Sequence, residues 1–115
     1  MKSQALKGHL DLLLLAILAE GPAHGYAVIE ALGVRSDGEF DLPEGTVYPA
    51  LHRLEKAGLL GSEWSVVGGR RRRTYAISAQ GRAALTEQAS AWDRFSSAVA
   101  RVVGDHSANG EPSWA

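Results

Sequence analysis

The sequence predicts a mainly α-helical protein with one small β-hairpin, and three observations support this fold class. Four segments space their apolar residues as helices do: residues 10–19, 24–32, 43–57 and 80–103. Two segments with the length and composition of strands, residues 60–67 and 73–78, flank Gly68-Gly69, a typical turn sequence. The 115 residues suffice for one domain with a modest core. We therefore expect three short helices, a hairpin and a long final helix.

The first predicted helix, residues 10–19, is apolar on nearly every side. A helix without a polar face must be buried on more than one side. In a domain of this size one side can face the core of its own subunit, and we expect the other to contact a second subunit. Gly21-Pro22 ends this helix. The second helix is predicted over residues 24–32, with Gly33 as its C-terminal cap.

The third helix is predicted between about residues 43 and 57, and its prolines leave its start open. Pro43 suits the first helical position. Pro49 lacks a backbone donor and crowds the carbonyl four residues earlier, which belongs to Gly45. The small size of Gly45 eases that crowding. Alternatively, the helix begins at Thr46, which would place Pro49 in its first turn.

The hairpin and the last helix complete the prediction. The hairpin loop is expected to contain Gly68-Gly69 together with the four arginines that follow. The last helix, residues 80–103, carries one apolar stripe at steps of three and four: Leu85, Ala89, Trp92, Phe95, Val99 and Val102. No later segment can cover this stripe, so we expect it to form a dimer interface. The polar residues 104–115 are expected to form a flexible tail.

Charge is distributed unevenly along the chain. The net charge is −1, but residues 1–45 carry a balance of −4 and residues 83–115 a balance of −2. Residues 46–82, in contrast, carry a balance of +5, to which four consecutive arginines contribute. Positive charge confined to one stretch is what a nucleic-acid-binding surface requires.

A helix with basic and aromatic groups, followed by an arginine-rich hairpin, is typical of a winged helix-turn-helix domain on duplex DNA. The helix can enter the major groove, and the hairpin, or wing, can contact phosphates. We assign residues 1–79 to this DNA-binding domain and residues 80–103 to a C-terminal dimerisation helix. The candidate DNA contacts are Thr46, Tyr48, Pro49, His52, Arg53, Arg70, Arg71, Arg72, Arg73 and Tyr75.

Structural roles compete with these DNA contacts. Thr46 at a helix start is equally a plain N-cap, and a core position is the alternative for Tyr48. The arginine run is otherwise a solvated charged turn. Arg53 has two acidic candidates for an ion pair, Glu30 and Glu55.

The chain resembles the PadR family of transcriptional regulators, in its short form with a single C-terminal helix. The resemblance covers about residues 6–103. It rests on Leu18, Gly21-Pro22, His24-Gly25-Tyr26, GTVYPAL at 45–51, RLEKAGL at 53–59, RRTYAIS at 72–78 and Gly81. It implies a homodimeric repressor, often of a neighbouring gene, that binds a pseudo-palindromic operator and is released by a small molecule.

An effector pocket is expected at the dimer interface. Trp92 and Phe95 would supply aromatic walls for a small planar aromatic ligand, and Asp11 and Leu12 of the first helix would lie nearby. In related short-type regulators such a tryptophan can line a drug-binding pore. Ordinary dimer packing explains Trp92 equally well.

Other classes of protein are disfavoured. The chain has no cysteine, and its four histidines show no metal-ligand spacing, so no disulfide, metal or other cofactor is expected. No catalytic constellation stands out, and we do not expect an enzyme. The longest apolar run, residues 12–19, is too short to cross a bilayer, so a cytoplasmic protein is expected.

Three functions from different classes remain. The leading hypothesis is a ligand-responsive DNA-binding repressor. The second is a winged-helix module for protein–protein interaction without specific DNA binding. The third is a small-molecule binding protein with a vestigial DNA surface. Salt dependence separates the first two, because binding that displaces counterions weakens steeply with salt. The intact arginine wing counts against the third.

Overall fold

The computed structural model of the chain describes residues 8–104. Over these residues it contains the helices α1 (Leu10–Leu18), α2 (Gly25–Arg35), α3 (Glu44–Lys56) and α4 (Ala79–Val103), and the strands β1 (Ala23–His24), β2 (Leu60–Val67) and β3 (Arg70–Ile77). The strands form one antiparallel sheet in the order β1-β3-β2. This is the predicted mainly α-helical winged helix-turn-helix class. The predicted tail, apart from Gly104, lies outside the described residues.

The core lies between the first three helices and the base of the sheet. Its buried apolar side chains are Leu10, Leu14, Leu15, Leu18, Val28, Leu32, Leu42, Val47, Ala50, Leu51, Leu54, Leu60 and Tyr75. α1 buries one face fully in this core, whereas Leu12, Leu13 and Ile17 on its remaining surface are half-buried. The expected contact of α1 with its own core is therefore confirmed, and its contact with a second subunit stays a prediction.

α2 continues to Arg35, so the prediction that Gly33 caps it is wrong. Left-handed backbone comes later, at Asp37 (φ 53°) and Gly38 (φ 85°). The amide of Gly38 donates to the carbonyl of Gly33 at 2.8 Å and so satisfies one of the last helical acceptors. The left-handed position directly after the C-cap Ser36 is thus held by Asp37, and Gly33 remains inside the helix.

α3 begins at Glu44, earlier than the alternative start at Thr46. Pro43 is its N-cap, with extended backbone (φ −77°, ψ 160°), rather than its first helical residue. Pro49 therefore lies inside the helix, beyond the first turn. No atom lies within 4 Å of the place where Gly45 would carry a Cβ, which leaves room around the carbonyl that Pro49 crowds.

The hairpin turn is shorter than predicted. Gly68 (φ 59°) and Gly69 (φ 77°) alone connect β2 to β3, both with the positive φ of a type I′ turn. The four arginines belong to β3 and pair with residues 64–67 of β2, so their expected place in the loop is wrong. A two-residue turn of this type matches the twist of the strands, and pairing can therefore begin directly after it.

Hydrogen bonds join the start of α4 to the residues that follow α3. The Ser78 hydroxyl accepts from the amide of Gly81 at 3.0 Å and donates to the carbonyl of Gly58 at 2.6 Å. The Ser78 amide donates to the carbonyl of Leu59 at 3.0 Å. A Cβ at Gly81 would overlap that carbonyl oxygen and the side chain of Ile77. Only glycine permits this close approach of helix and backbone.

The chain divides into two compact units, Met1–Leu85 and Thr86–Ala115. The first contains α1 to α3, the sheet and the beginning of α4. In the second, α4 exposes apolar side chains along the predicted stripe: Trp92 43%, Phe95 59%, Val99 41% and Val102 88%. Within this unit the described residues leave the stripe largely accessible.

We expect Gly81→Ala to lower the free energy of unfolding by about 2 kcal/mol or more, because the new methyl group meets backbone that cannot move independently. Gly33→Ala is the matched control. Gly33 lies inside α2 with no atom within 4 Å of its Cβ position, and alanine there should stabilise by about 0.5–1 kcal/mol. Urea denaturation measures both values. Equal stabilities of the two variants would contradict the close contact.

Candidate nucleic-acid interface

α3 presents one face to the core and the opposite face to solvent. Its buried residues, Val47, Ala50, Leu51 and Leu54, follow steps of three and four. The remaining positions carry the predicted DNA contacts of this helix. Pro49, His52 and Arg53 are exposed, and Thr46 and Tyr48 are half-buried. The five predicted residues of α3 therefore lie outside its fully buried stripe.

The ring of Tyr48 lies across the first residue of α2. A Cβ at Gly25 would overlap this ring, so the glycine provides the space that the ring occupies. Tyr48 packs partly against the core and also lines an open cleft beside the wing. Part of the Tyr48 side chain therefore packs against the core, as one interpretation predicted, and part is accessible in the cleft, as the other predicted.

Arg53 forms an ion pair with α1 rather than with either expected partner. Its Nη1 lies 3.0 Å from the Asp11 carboxylate, and neither Glu30 nor Glu55 is the partner. The side chains of Arg53 and Asp11 are 57% and 35% exposed. A pair this exposed contributes at most about 1 kcal/mol, so a phosphate can compete for the guanidinium. The carboxylate expected in the effector pocket is thus already paired.

The wing arginines alternate between two faces of the sheet, because successive side chains of a strand point to opposite sides. Arg71 and Arg73 share the face of Trp64, which is the cross-strand partner of Arg73. The Arg71 guanidinium lies 4.4 Å from the centroid of the Trp64 ring, and that of Arg73 lies 5.6 Å away. These cation–π contacts order long side chains on an exposed strand. Arg70 and Arg72 lie on the other face.

Arg73 is held by the protein itself. Its Nη2 lies 2.9 Å from Glu55 of α3, and its Nε donates to the Ser62 hydroxyl at 2.8 Å. The Ser62 hydroxyl also donates to Glu55. This hydrogen bond and the charge of Arg73 hold the pKa of Glu55 below its usual value, although partial burial opposes them. Arg73 therefore joins the wing to α3, and its charge is balanced locally.

Tyr75 was expected to contact DNA, and the structure contradicts this expectation. Its side chain is 1% exposed and belongs to the core. Burial raises the pKa of Tyr75, and the charge of Arg73 opposes that shift. The strand period places position 75 on the same face as Arg73, at the end of β3 that packs on the core. Tyr75 anchors the wing and cannot reach a duplex.

An open cleft of about 500 Å³ lies between the start of α2 and the wing. Its walls contain aromatic and cationic side chains and no carboxylate: His24, Gly25, Tyr26, Tyr48, Trp64, Arg70, Arg71, Arg72 and Arg73. His24, Tyr26 and Trp64 were not among the residues predicted for this surface. The two-residue strand β1, which pairs His24 with Thr74, brings the first of them there. No periodicity in the sequence indicates so short a strand.

The predicted effector residues fall in both compact units. In the second unit, the rings of Trp92 and Phe95 lie 6.0 Å apart at 40°, and both are exposed. In the first unit, Asp11 and Leu12 are half-buried on α1. The pocket that these four residues were expected to share therefore stays a prediction.

The described residues, 8–104, contain neither a membrane-spanning helix nor a cluster of metal-ligating side chains. No helix among them has the length and apolar character needed to cross a membrane. Their histidines and carboxylates include no group of three that is placed to hold a metal ion. His106, the fourth histidine of the sequence, lies beyond these residues.

We expect Glu55→Gln to lower the free energy of unfolding by about 0.5–1 kcal/mol near neutral pH, since it removes a partly exposed ion pair. The lowered pKa of Glu55 means that its contribution is complete above the unfolded-state pKa and is lost as the pH falls through the folded-state pKa. The difference between variant and parent should therefore shrink in acid. Urea denaturation at several pH values tests this, with the exposed Glu63→Gln as control. A difference that grows on acidification would contradict the network.

Known proteins share both the sequence and the fold. The model of the Transcriptional regulator PadR-like family matches residues 14–87. A transcriptional regulator of Mycobacterium tuberculosis is 43% identical over 81 residues, which are 70% of this chain and 73% of that protein. A transcriptional regulator of Clostridium thermocellum superimposes with a TM-score of 0.81 at 26% identity, over 88% of this chain and 99% of its own.

A solved PadR family transcriptional regulator of Eggerthella lenta has a TM-score of 0.76 and 33% identity, over 87% of this chain and 86% of its own. The matched residues include α2, α3 and the whole hairpin, which together build the cleft. The proteins named in these matches are regulators of transcription and not enzymes. The chain belongs to the PadR family of transcriptional regulators.

Proposed function

We propose that this regulator binds double-stranded DNA sequence-specifically through α3 and the wing. One observation carries the proposal: Tyr48 of α3 and all four wing arginines line the same open cleft, which contains no carboxylate. DNA carries a dense array of phosphate charges, and cationic side chains bind it by displacing its counterions. The positive charge that the sequence confines to residues 46–82 thus accompanies the exposed helix face that would read bases.

The structure supports different roles for the candidate contacts. Arg70, Arg71 and Arg72 are exposed, and within residues 8–104 none of them forms an ion pair with a carboxylate. We assign them to phosphates. Exposed His52 and half-buried Tyr48 are assigned to base edges in the major groove, because they lie on the outer side of α3.

Four other predicted contacts are assigned smaller parts in DNA binding. Thr46 and Pro49 lie on the exposed side of α3 and are retained as neighbouring contacts. Arg53 can contact DNA after exchange from Asp11. Arg73 positions the wing through Glu55, and its part in binding is indirect.

We further propose that the protein works as a homodimer. The apolar side chains exposed on α4 in the second unit and the half-buried surface of α1 support this. The C-terminal helix of each subunit would pack against the first helix of the other, over an area above about 1,000 Å². Two-fold symmetry then requires two inverted half-sites about one helical turn apart.

Repression and its release by a ligand complete the proposal. A dimer on its operator blocks transcription, and a planar aromatic molecule between the subunits would favour an arrangement that no longer fits the DNA. The adjacent rings of Trp92 and Phe95 support an aromatic ligand. A cationic ligand that pairs with Asp11 would also release Arg53. For a tenfold loss of DNA affinity, the ligand must bind the released arrangement about 1.4 kcal/mol more tightly than the DNA-bound one. Quenching of Trp92 fluorescence tests whether such a ligand binds.

The first test of DNA binding is the double substitution Arg71→Ala and Arg72→Ala. It should weaken binding to operator and unrelated duplexes alike and reduce the slope of log affinity against log salt by about two. Arg94→Ala with Arg101→Ala removes the same charge from exposed positions on α4 and should leave the slope unchanged if the dimer persists. Unchanged affinity and slope in the wing variant would refute its contact with phosphates.

Discrimination between sequences is tested separately. Replacing Tyr48 by Phe or His52 by Ala should cost about 1–3 kcal/mol of discrimination per base contact while leaving the salt slope intact. Competition binding with an operator and an unrelated duplex measures this. If the chain were an interaction module without specific DNA binding, the parent protein itself would show neither discrimination nor steep salt dependence.

The dimer is tested by sedimentation of the dilute protein, which should have the mass of two chains. Val99→Asp or Val102→Asp would place a charge on the exposed apolar surface of α4 and should shift the protein toward one chain. Val34→Asp is the control, because Val34 is also exposed (72%, between Val99 at 41% and Val102 at 88%) but lies on α2 in the first unit. A monomeric parent protein would overturn the proposed assembly.

A further inference from the structure

His24 lies where the start of α2, the short strand β1 and the wing meet. As a residue of β1 it is the antiparallel partner of Thr74 on β3. Arg72 lies two positions along β3 from Thr74, on the same face of the sheet and within reach of a diagonal neighbour. The sheet thereby holds His24 and Arg72 side by side at the edge of the cleft that both line.

The two ring nitrogens of His24 have different neighbours. Nδ1 accepts the amide of Ala27 at 3.3 Å, so the side chain is the N-cap of α2. Nε2 lies 3.1 Å from Nη1 of Arg72. A neutral imidazole has one N–H and one acceptor nitrogen. In the tautomer that makes this cap, the hydrogen is on Nε2, which faces Arg72.

Two donors therefore converge at the edge of the cleft. Arginine can only donate hydrogen bonds, and Nε2 of His24 is also a donor in the tautomer that caps α2. The two groups cannot satisfy each other at 3.1 Å. An anionic oxygen placed between them would accept from both, and its charge would be balanced by the guanidinium. None of the residues that line the cleft is a carboxylate, so the cleft itself supplies no such oxygen.

We propose that Nε2 of His24 and the guanidinium of Arg72 together bind one phosphodiester group of the DNA backbone. This inference rests on the proposed DNA-binding function and adds a residue from α2 to the surface formed by α3 and the wing. A phosphodiester fits better than a free phosphate ion because the cleft is open and is bordered by Tyr48 of α3. A strand of DNA can pass along such a cleft, with neighbouring phosphates reaching Arg70 and Arg71.

The N-cap hydrogen bond also orients the donor group of His24. The bond from Ala27 to Nδ1 fixes the plane of the ring, the tautomer and the direction of the Nε2–H bond. Asparagine can replace this cap, because its side-chain oxygen accepts from the same part of a helix. Its shorter side chain has no group equivalent to Nε2. His24→Asn therefore separates the structural role of the residue from its role in binding.

The tautomer is tested in the parent protein without any substitution. Nitrogen-15 spectra of the histidine rings, recorded in mildly alkaline solution, should assign the hydrogen of the His24 ring to Nε2. Addition of a duplex should perturb this nitrogen, whereas an equal concentration of inorganic phosphate should leave it largely unchanged. A hydrogen on Nδ1, or saturable binding of inorganic phosphate without any response to duplex, would overturn the proposal.

The contribution to DNA binding is tested with His24→Asn, Arg72→Ala and the double variant. His24→Asn should keep its melting temperature and yet bind operator and unrelated duplexes about tenfold more weakly, as expected for the loss of a hydrogen bond to a charged acceptor. The two substitutions should be strongly non-additive, because both groups hold one phosphate. The control His52→Asn should instead reduce discrimination between the two duplexes.

The position of the phosphate is tested with duplexes in which single phosphates are replaced by neutral methylphosphonates. One replacement should weaken the parent protein strongly, weaken His24→Asn less, and leave the double variant unaffected. If His24→Asn binds as tightly as the parent while the parent shows steep salt dependence, the phosphate site is refuted and the proposed function stands. If the parent binds no duplex, both are refuted.

Discussion

The antiparallel position of β3 between β1 and β2 is the constraint on which the rest of this structure depends. One end of β3 is buried, where Tyr75 packs in the core, and the other end carries the arginines. Because a strand alternates strictly, the burial of Tyr75 determines which arginines face Trp64 and which face His24. A shift by one residue would expose the tyrosine and exchange the two faces.

The arginines predicted to contact DNA fall into two groups according to their partners in the protein. Arg53 and Arg73 are paired with carboxylates on α1 and α3, and they join elements of the fold. Arg70, Arg71 and Arg72 have no carboxylate partner among the described residues and remain exposed. Counting positive charges therefore overestimates the charge that is directly available for binding. Arg71 stacks on Trp64, a neutral partner that orders it without balancing its charge.

The sequence predicted the fold class and the surface formed by α3, because both depend on local patterns. The spacing of Val47, Ala50, Leu51 and Leu54 determines which side of the helix is buried, and the double glycine marks the turn. The places where prediction failed depend on competition or on distant partners. The left-handed position that Gly33 was expected to take is held by Asp37, four residues later, and Tyr75 was predicted on the DNA surface although the end of β3 that carries it packs in the core. His24 gained its position from a two-residue strand pairing that no local pattern encodes.

The tight glycine turn also restricts how this wing can diverge among related proteins. An insertion of one residue in only one of the two strands would either create a bulge or reverse the facing of every side chain between the insertion and the turn. An insertion of one residue in each strand preserves the facing and lengthens the hairpin by about 3.4 Å. Viable wing lengths should therefore differ by paired residues, so the reach of the wing along a duplex changes in discrete steps and not continuously.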